Sequence, residues 1–409
     1  MADAMISVAE ARGRILAAVK PLPAETVSVA EAVGRVTATD IVARRTQPPV
    51  AVSAMDGWAC RSADVATVPA RLKEIGYVPA GSSFDGVVGP GEAVRIFTGA
   101  PVPKGADCIV IQEDVDANGK ELTVREGAKA GTYVRPAGLD FKEGEVGVQA
   151  GRRLTPADIG LIAAMNWPWV EVHRRPRIAM IATGDELARP GEPIGPNQIV
   201  SSNALALAAL IREAGGIPID LGIARDEEAS LHALADGARG ADMLVTLGGA
   251  SVGEHDLVRK VLGQRGLQLD FWRIAMRPGK PLMFGRLENA ALLGLPGNPV
   301  SSLVCATLFL VPALRAMQGE RLADRPPLTA KLGRDLPEND GREDYLRSTL
   351  SFEPDGTAVA TPFEKQDSSM LSRLARADCL VVRAPRAPAA KAGEKVPVVP
   401  LGHSAGFFA

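Results

Sequence analysis

The spacing of hydrophobic positions changes character along the chain and divides it into three regions. Near the start, Val8, Ala11, Ile15 and Val19 recur at helical spacing behind Ser7 and Glu10, a capping-box pair, so the chain is expected to open with a helix. A second helix is predicted from Thr155, with Thr155 as N-cap, Pro156 at the first helical position and Asp158 in the first turn. Between them lie short β-rich runs such as 93–97 and 108–112, separated by Gly and Pro turns. Residues 1–175 therefore read as a helical part with an inserted β-subdomain at about 25–140.

From 176 to 320, apolar strands alternate with helical stretches in the βαβ manner. Strands are predicted at 178–182, 217–223, 243–247 and 291–295, and helices near 204–214, 228–238 and 257–264. This is the pattern of a doubly wound, three-layer α/β domain on an open parallel sheet. The remainder, 325–409, is Pro-rich with short runs at 345–350, 358–361, 379–382 and 396–399, which fit a small β-barrel or sandwich. The whole is expected to be an α/β multidomain protein.

Composition narrows the function classes. The 409 residues are 46% hydrophobic, and 46 Lys+Arg against 48 Asp+Glu leave no basic excess for nucleic acid or an anionic membrane surface. Any bound anion must be met locally. Cys60, Cys108, Cys305 and Cys379 show no metal-ligand or redox spacing and read as reduced thiols of a cytoplasmic protein. The start lacks a signal-like basic and apolar region. The longest apolar stretch, 303–314, is read as too short for a bilayer and contains Pro312.

Four turns at predicted strand ends carry the candidate chemistry: 183–186, 224–227, 248–253 and 296–299. In an open parallel sheet they share the edge where ligands bind. Asp185, Glu186, Asp226 and Asp256 are carboxylates of the kind that hold Mg²⁺. Gly184 and the pair Gly248-Gly249 permit close backbone approach. Arg277 and Lys280 suit phosphate or oxyanion groups. Asn298 is placed to cap the following helix, Pro299 to start it, and Ser301 and Ser302 to fill its first turn, leaving free amides for an anion. Gly249-Ala250-Ser251-Val252-Gly253 matches a nucleophile elbow, but only His255 and His403 follow Ser251, and neither stands where a triad histidine belongs. No P-loop is present, and His173 and His232 stand alone, against a zinc site.

Seven ordered motifs carry a resemblance: Ser53-Ala-Met-Asp56-Gly57, Phe97-Thr98-Gly99-Ala100-Pro101, Arg135-Pro-Ala-Gly138-Leu-Asp140, Thr183-Gly-Asp-Glu186-Leu187, Gly248-Gly-Ala-Ser251-Val-Gly253, Pro278-Gly-Lys280-Pro281 and Pro296-Gly-Asn-Pro299. Over about residues 5–400 the chain resembles the molybdopterin molybdenumtransferases of MoeA type, and the C-terminal domain of gephyrin. The resemblance implies a molybdopterin-binding α/β domain and the last step of molybdenum cofactor synthesis. There, Mg²⁺ and molybdate act on adenylyl-molybdopterin, AMP is released, and the metal stays on the dithiolene. It also implies a homodimer whose site is shared between subunits, with a molybdopterin adenylyltransferase and molybdoenzyme apoproteins or their chaperones as partners.

Carried over by position, Asp56, Thr98 and Asp140 line the site from the N-terminal region, while Glu186, Asp226 and Asp256 serve the Mg²⁺ side. Lys280 and the turn Pro296, Gly297, Asn298 and Pro299 take oxyanion and pterin-phosphate groups, with Gly184, Asp185, Gly248, Gly249, Ser251, Gly253, Arg277 and Ser302 beside them. Arg342 and Ser368 stand near positions that approach molybdate, although the loop reads Gln366-Asp-Ser-Ser369 where the family usually has Gly after Gln. Ala51-Val52 replaces an Asp-Asn pair, Ser201 stands where an Asp often precedes Ser-Asn, and His255 replaces an aromatic. An adenylyltransferase and a non-catalytic scaffold paralogue of the same fold are the alternatives.

Overall fold

The structure, a computed structural model, describes residues 5–79, 81–249 and 257–402. Ser7 caps the first helix, Val8–Ala18, by accepting from the Glu10 amide. Its apolar stripe of Val8, Ala11 and Ile15 joins the core of the α/β layer, against the helix that ends at Met317. The second helix, Pro156–Ala164, has the full capping box between Thr155 and Asp158. With the paired strands Ala24–Ser28 and Trp169–His173 it encloses a separate small core around Ile162, Met165 and Val172.

The β-subdomain is a six-stranded sheet in the order Cys108–Ile111, Gly57–Cys60, Glu92–Ile96, Ala70–Val78, Glu121–Val124, Val115–Asn118. Two of these coincide with the predicted runs. The others are short or charged: in Ala70–Val78, buried Ala70 and Leu72 alternate with exposed Arg71 and Lys73.

The central sheet runs Ile217–Ala224, Arg177–Thr183, Met243–Leu247, Ala290–Leu295, Pro281–Leu287, Gln268–Arg273. The first four strands are parallel, as expected, but the last two were not anticipated and make the sheet mixed. Pro281 and Gly285 inside one, and Gln268 and Asp270 in the other, obscure their strand pattern. Alternate side chains serve opposite faces. Ile178, Met180 and Ala182 pack with helix Asn203–Glu213 and the long C-terminal helix. Ala179 and Ile181 pack with helices Glu228–Asp236 and Leu257–Gln264. Each fully buried Ile or Leu contributes about 1.5–3 kcal/mol, so both layers are strongly held.

The long helix corrects one expectation. Pro299–Met317 runs 19 residues and is apolar enough, by length and composition, to cross a membrane, yet 72% of its most apolar window is buried inside the protein. It is the helix covering the sheet. The apolar stretch 303–314 is only part of it, because polar Ser301 and Ser302 before it and Arg315 after it fold into the same helix, where Thr307 bonds the Leu303 carbonyl at 2.9 Å. A wide turn at Ala306–Leu310 precedes Pro312 and relieves the missing amide.

The C-terminal strands Leu328–Leu332, Glu343–Phe352, Ala358–Pro362, Cys379–Arg383 and Lys395–Pro400 close into a small barrel, since Glu343–Phe352 pairs with both Ala358–Pro362 and Cys379–Arg383. The two-residue strand Met276–Arg277 of the α/β domain adds to it through Glu343 and Asp344. The N-terminal region is anchored elsewhere. Arg153 bonds Gly34 O at 2.7 Å and Glu320 at 2.9 Å, just past the C-terminal end of the long helix.

Candidate functional site

Hydrogen bonds and close contacts bring the described parts of the four strand-end turns together. Gly184 N–H donates to Ala224 O at 3.3 Å, and Asp226 N–H to the Asp185 carboxylate at 3.1 Å, locking the first two turns. Gly248 N–H donates to Leu295 O at 3.1 Å, and a Cβ on Gly297 would lie 3.7 Å from Gly248 Cα. The glycines prove necessary for packing. Gly184 has φ +140, and a Cβ there would collide with the Glu186 carboxylate curled over it. Gly248 and Gly249 have φ +90 and +66, and side chains on them would strike Thr183 and Val258.

Glu186 and Asp226 are exposed on adjacent strand ends, and among the described residues neither carboxylate has a hydrogen bond or ion pair. They keep their lone pairs for a ligand. Ser251, Gly253 and Asp256 lie outside the described residues, as do His255 and His403. Among the described residues no three ligating side chains converge. Glu186 and Asp226 are nevertheless the kind of oxygen donors Mg²⁺ accepts, since it takes one or two carboxylates together with phosphate oxygens and water.

The oxyanion side differs from expectation at three places. Asn298 occupies the N-cap position but makes no capping bond; its Nδ2 donates to Ser368 Oγ at 3.1 Å. The helix amides are also mostly spent: Pro299 has none, Val300 donates to Ser368 O at 3.1 Å, and Ser302 to Asn298 O at 2.9 Å. A loop from the barrel caps this helix. The turn is braced from the other side by Asn203 Nδ2, 2.7 Å from Gly297 O, and Ser302 Oγ is buried without a partner among the described residues.

Arg277 is the second correction. It is ion-paired to Asp344 and, at 3.1 Å, to Asp340, so it joins the α/β domain to the barrel and is not open to a phosphate. The Asp344 hydrogen bond raises its pKa. Arg342, the third, is spent on the same Asp340 at 2.9 Å, and its hydrogen bonds lower the Asp340 pKa. Lys280 alone of these cations is exposed and unpaired among the described residues.

Arg347 was missed. Its side chain is fully buried in the barrel, with Nη1 on Tyr345 O at 3.0 Å and Nη2 without a partner among the described residues. Burial pushes its pKa down to about 10, which leaves it a cation at neutral pH. Gln366 holds its backbone through two 3.0 Å bonds. The signal was present: a lone cation inside the β-like run 345–350.

The N-terminal candidates form a second cluster. Asp56 Oδ1 accepts from both the amide and the hydroxyl of Thr98 at 2.8 Å. These bonds hold its pKa below the ordinary value, with nearby Arg95 assisting. Gly57 is obligatory, because a Cβ would collide with Val110 O. Asp140 lines a neighbouring cleft of about 760 Å³ together with Gly99, Arg45 and Arg135. Neither arginine has an ion pair among the described residues, so the cleft is basic. Among the described residues, hydrogen bonds keep each cluster within its own region and none joins Asp56, Thr98 or Asp140 to the strand edge.

Family models match in chain order: the MoeA N-terminal region (domain I and II) over 6–166, the probable molybdopterin binding domain over 179–316, and the MoeA C-terminal region (domain IV) over 329–401. The chain belongs to the MoeA family. The molybdopterin molybdenumtransferase of Haemophilus influenzae is 34% identical over 407 residues, covering 98% of this chain and 100% of that one. That of Bacillus subtilis is 32% identical over 92% of this chain and 90% of its own length. The crystal structure of a MoeA protein from Pyrococcus horikosii superposes with a TM-score of 0.82 at 31% identity, over 97% of this chain and 99% of that one. MoeA likeness therefore extends across the N-terminal and barrel regions, beyond the α/β domain that a bare adenylyltransferase or a hydrolase would need.

Proposed function

We propose that the chain is a molybdopterin molybdenumtransferase that inserts molybdenum from molybdate into adenylyl-molybdopterin, with Mg²⁺-dependent release of AMP. The supporting observation is the pair of unspent carboxylates, Glu186 and Asp226, on neighbouring strand ends within a full-length MoeA match. Glu186 and Asp226, with Asp256, would hold Mg²⁺, which neutralises phosphate charge as AMP departs. Lys280 supplies an open cation at the same edge, and the buried Arg347 another behind the Gln366 loop. Asp56 fixes the Thr98 hydroxyl, and Arg45 and Arg135 offer a basic cleft for phosphate groups. No protein nucleophile is required.

The reading includes a homodimer with a shared site. The strand edge lies at the start of helix Pro299–Met317, whereas the part of the N-terminal region beyond its first helix is tied to the other end through Arg153 and Glu320. Nineteen residues of helix separate those ends by about 28 Å. A second copy, related by two-fold symmetry, brings a basic cleft to each acidic edge. The location is cytoplasmic, with an adenylyltransferase supplying substrate and molybdoenzyme apoproteins or their chaperones receiving product. Purified protein is incubated with adenylyl-molybdopterin, Mg²⁺ and molybdate, and AMP and molybdenum cofactor are quantified together. Absence of both products, or molybdate-independent ATP consumption, overturns the reading.

A further inference from the structure

The loop at 366–369 belongs to the barrel by sequence, yet its hydrogen bonds go to the α/β domain. Ser368 uses its carbonyl to accept from Val300 N–H and its hydroxyl to accept from Asn298 Nδ2, both at 3.1 Å. Two residues earlier, the Gln366 carboxamide donates to Arg347 O and accepts from Arg347 N–H, both at 3.0 Å. Hydrogen bonds and short stretches of chain thus link Asn203 through Gly297, Asn298, Ser368 and Gln366 to the backbone of Arg347, a fully buried arginine with a side-chain nitrogen unpartnered among the described residues. Asn298 stands at the centre of this linkage. A helix-start asparagine normally turns its side-chain oxygen onto its own helix; this one turns its nitrogen outward to another domain and lets Ser368 cap the helix instead.

We propose that Asn298 is a positioning residue for the reaction read above. Its carboxamide latches the 366–369 loop to the strand edge and so sets where Ser368 and Arg347 stand relative to the oxyanion. It acts through Ser368, not on the ligand. The inference rests on the molybdenumtransferase reading for its kinetic consequence, but the latch itself is a property of the free protein.

Two measurements on the full-length protein test it. Hydrogen exchange of segment 366–374, without any ligand, should accelerate in Asn298→Ala and remain near wild type in Asn298→Asp, whose carboxylate can accept from the Ser368 hydroxyl. Unchanged exchange in the alanine variant overturns the latch, whatever the enzyme's activity. The second measurement is a double-mutant cycle on the apparent KM for molybdate. Asn298→Ala should raise KM about threefold to tenfold, the effect of one net hydrogen bond. The double variant Asn298→Ala with Ser368→Ala should then match Ser368→Ala alone. Multiplicative losses would mean that Asn298 touches the ligand itself and would sink the proposal. If wild type shows no molybdate-dependent turnover, the functional reading falls while the exchange result still decides the latch.

Discussion

Asp56 and Glu186 are both carboxylates in glycine-containing turns, yet the two regions that hold them put them to opposite use. In the N-terminal region Asp56 is already spent: one oxygen binds Thr98 twice, and the turn is locked by Gly57 against the Val110 carbonyl. Around it the cleft is basic, with Arg45 and Arg135 outnumbering Asp140. At the strand edge Glu186 and Asp226 carry no partner among the described residues, and their turns are arranged by backbone bonds and by the Asp185 carboxylate rather than by their own side chains. The first region is built before any ligand arrives; the second keeps its charge available. A carboxylate's sequence context therefore tells less about its role than whether the fold has satisfied its oxygens.

The largest expected effect attacks the open half. Glu186→Gln and Asp226→Asn should each reduce Mg²⁺-dependent AMP release by about 100-fold or more, comparable to losing one preorganised electrostatic group. Thermal stability should stay within about 0.5 kcal/mol of wild type, because exposed, unpartnered side chains hold nothing together. Calorimetry alongside product assay checks both. A large loss of stability would erase the distinction between the two regions.

Next in size is recovery by mixing. If the basic cleft of one subunit serves the acidic edge of the other, an inactive Asp226→Asn protein and an inactive Arg135→Gln protein should complement when subunits are exchanged. Random pairing gives half heterodimers with one of two sites intact, or about one quarter of wild-type activity. Mixtures that stay inactive would confine the site to one chain.

A smaller effect is expected from the closed half. Because the folded pKa of Asp56 is depressed, its contribution to stability is present above the ordinary aspartate range and is lost as pH falls below about 4. Wild type and Asp56→Asn should therefore differ in Tm by a few degrees at most at pH 7, and converge under acid. A constant difference across pH 3–7, measured by calorimetry at about one-unit intervals, would show that the Thr98 clamp does not depend on charge.

Much of this was legible beforehand, for identifiable reasons. Local rules placed Ser7, Thr155 and Pro156 at helix starts, and period and length placed the parallel strands, whose ends then had to share an edge. Partnership was not legible. Nothing local indicates that the opening helix packs on the α/β layer, that Asn298 faces Ser368, or that Arg277 finds Asp340 and Asp344 more than sixty residues away. Such contacts depend on how domains dock, and docking depends on surfaces no window of sequence contains. Arg347 is illegible for a related reason, since a cation in a strand that also carries Glu343, Asp344, Ser348 and Thr349 reads as one more exposed polar residue until its burial is seen.

The smallest effect isolates that docking. Arg277 was expected to face the ligand like Lys280, but it bridges to Asp344, whose side chain is only 6% exposed, and to the half-exposed Asp340. Arg277→Ala strands the buried carboxylate, at a cost of about 1–3 kcal/mol reduced by the solvent reaching the guanidinium. Arg277→Lys should lose less, because an ammonium can serve one carboxylate but not fork between two. If the arginine only joins domains, both variants lower stability and leave the KM for molybdate within about twofold, and added salt narrows the stability gap through the exposed Asp340 arm. A tenfold rise in KM with unchanged stability would return Arg277 to the ligand, and would make the strand edge a more basic site than its free carboxylates now indicate.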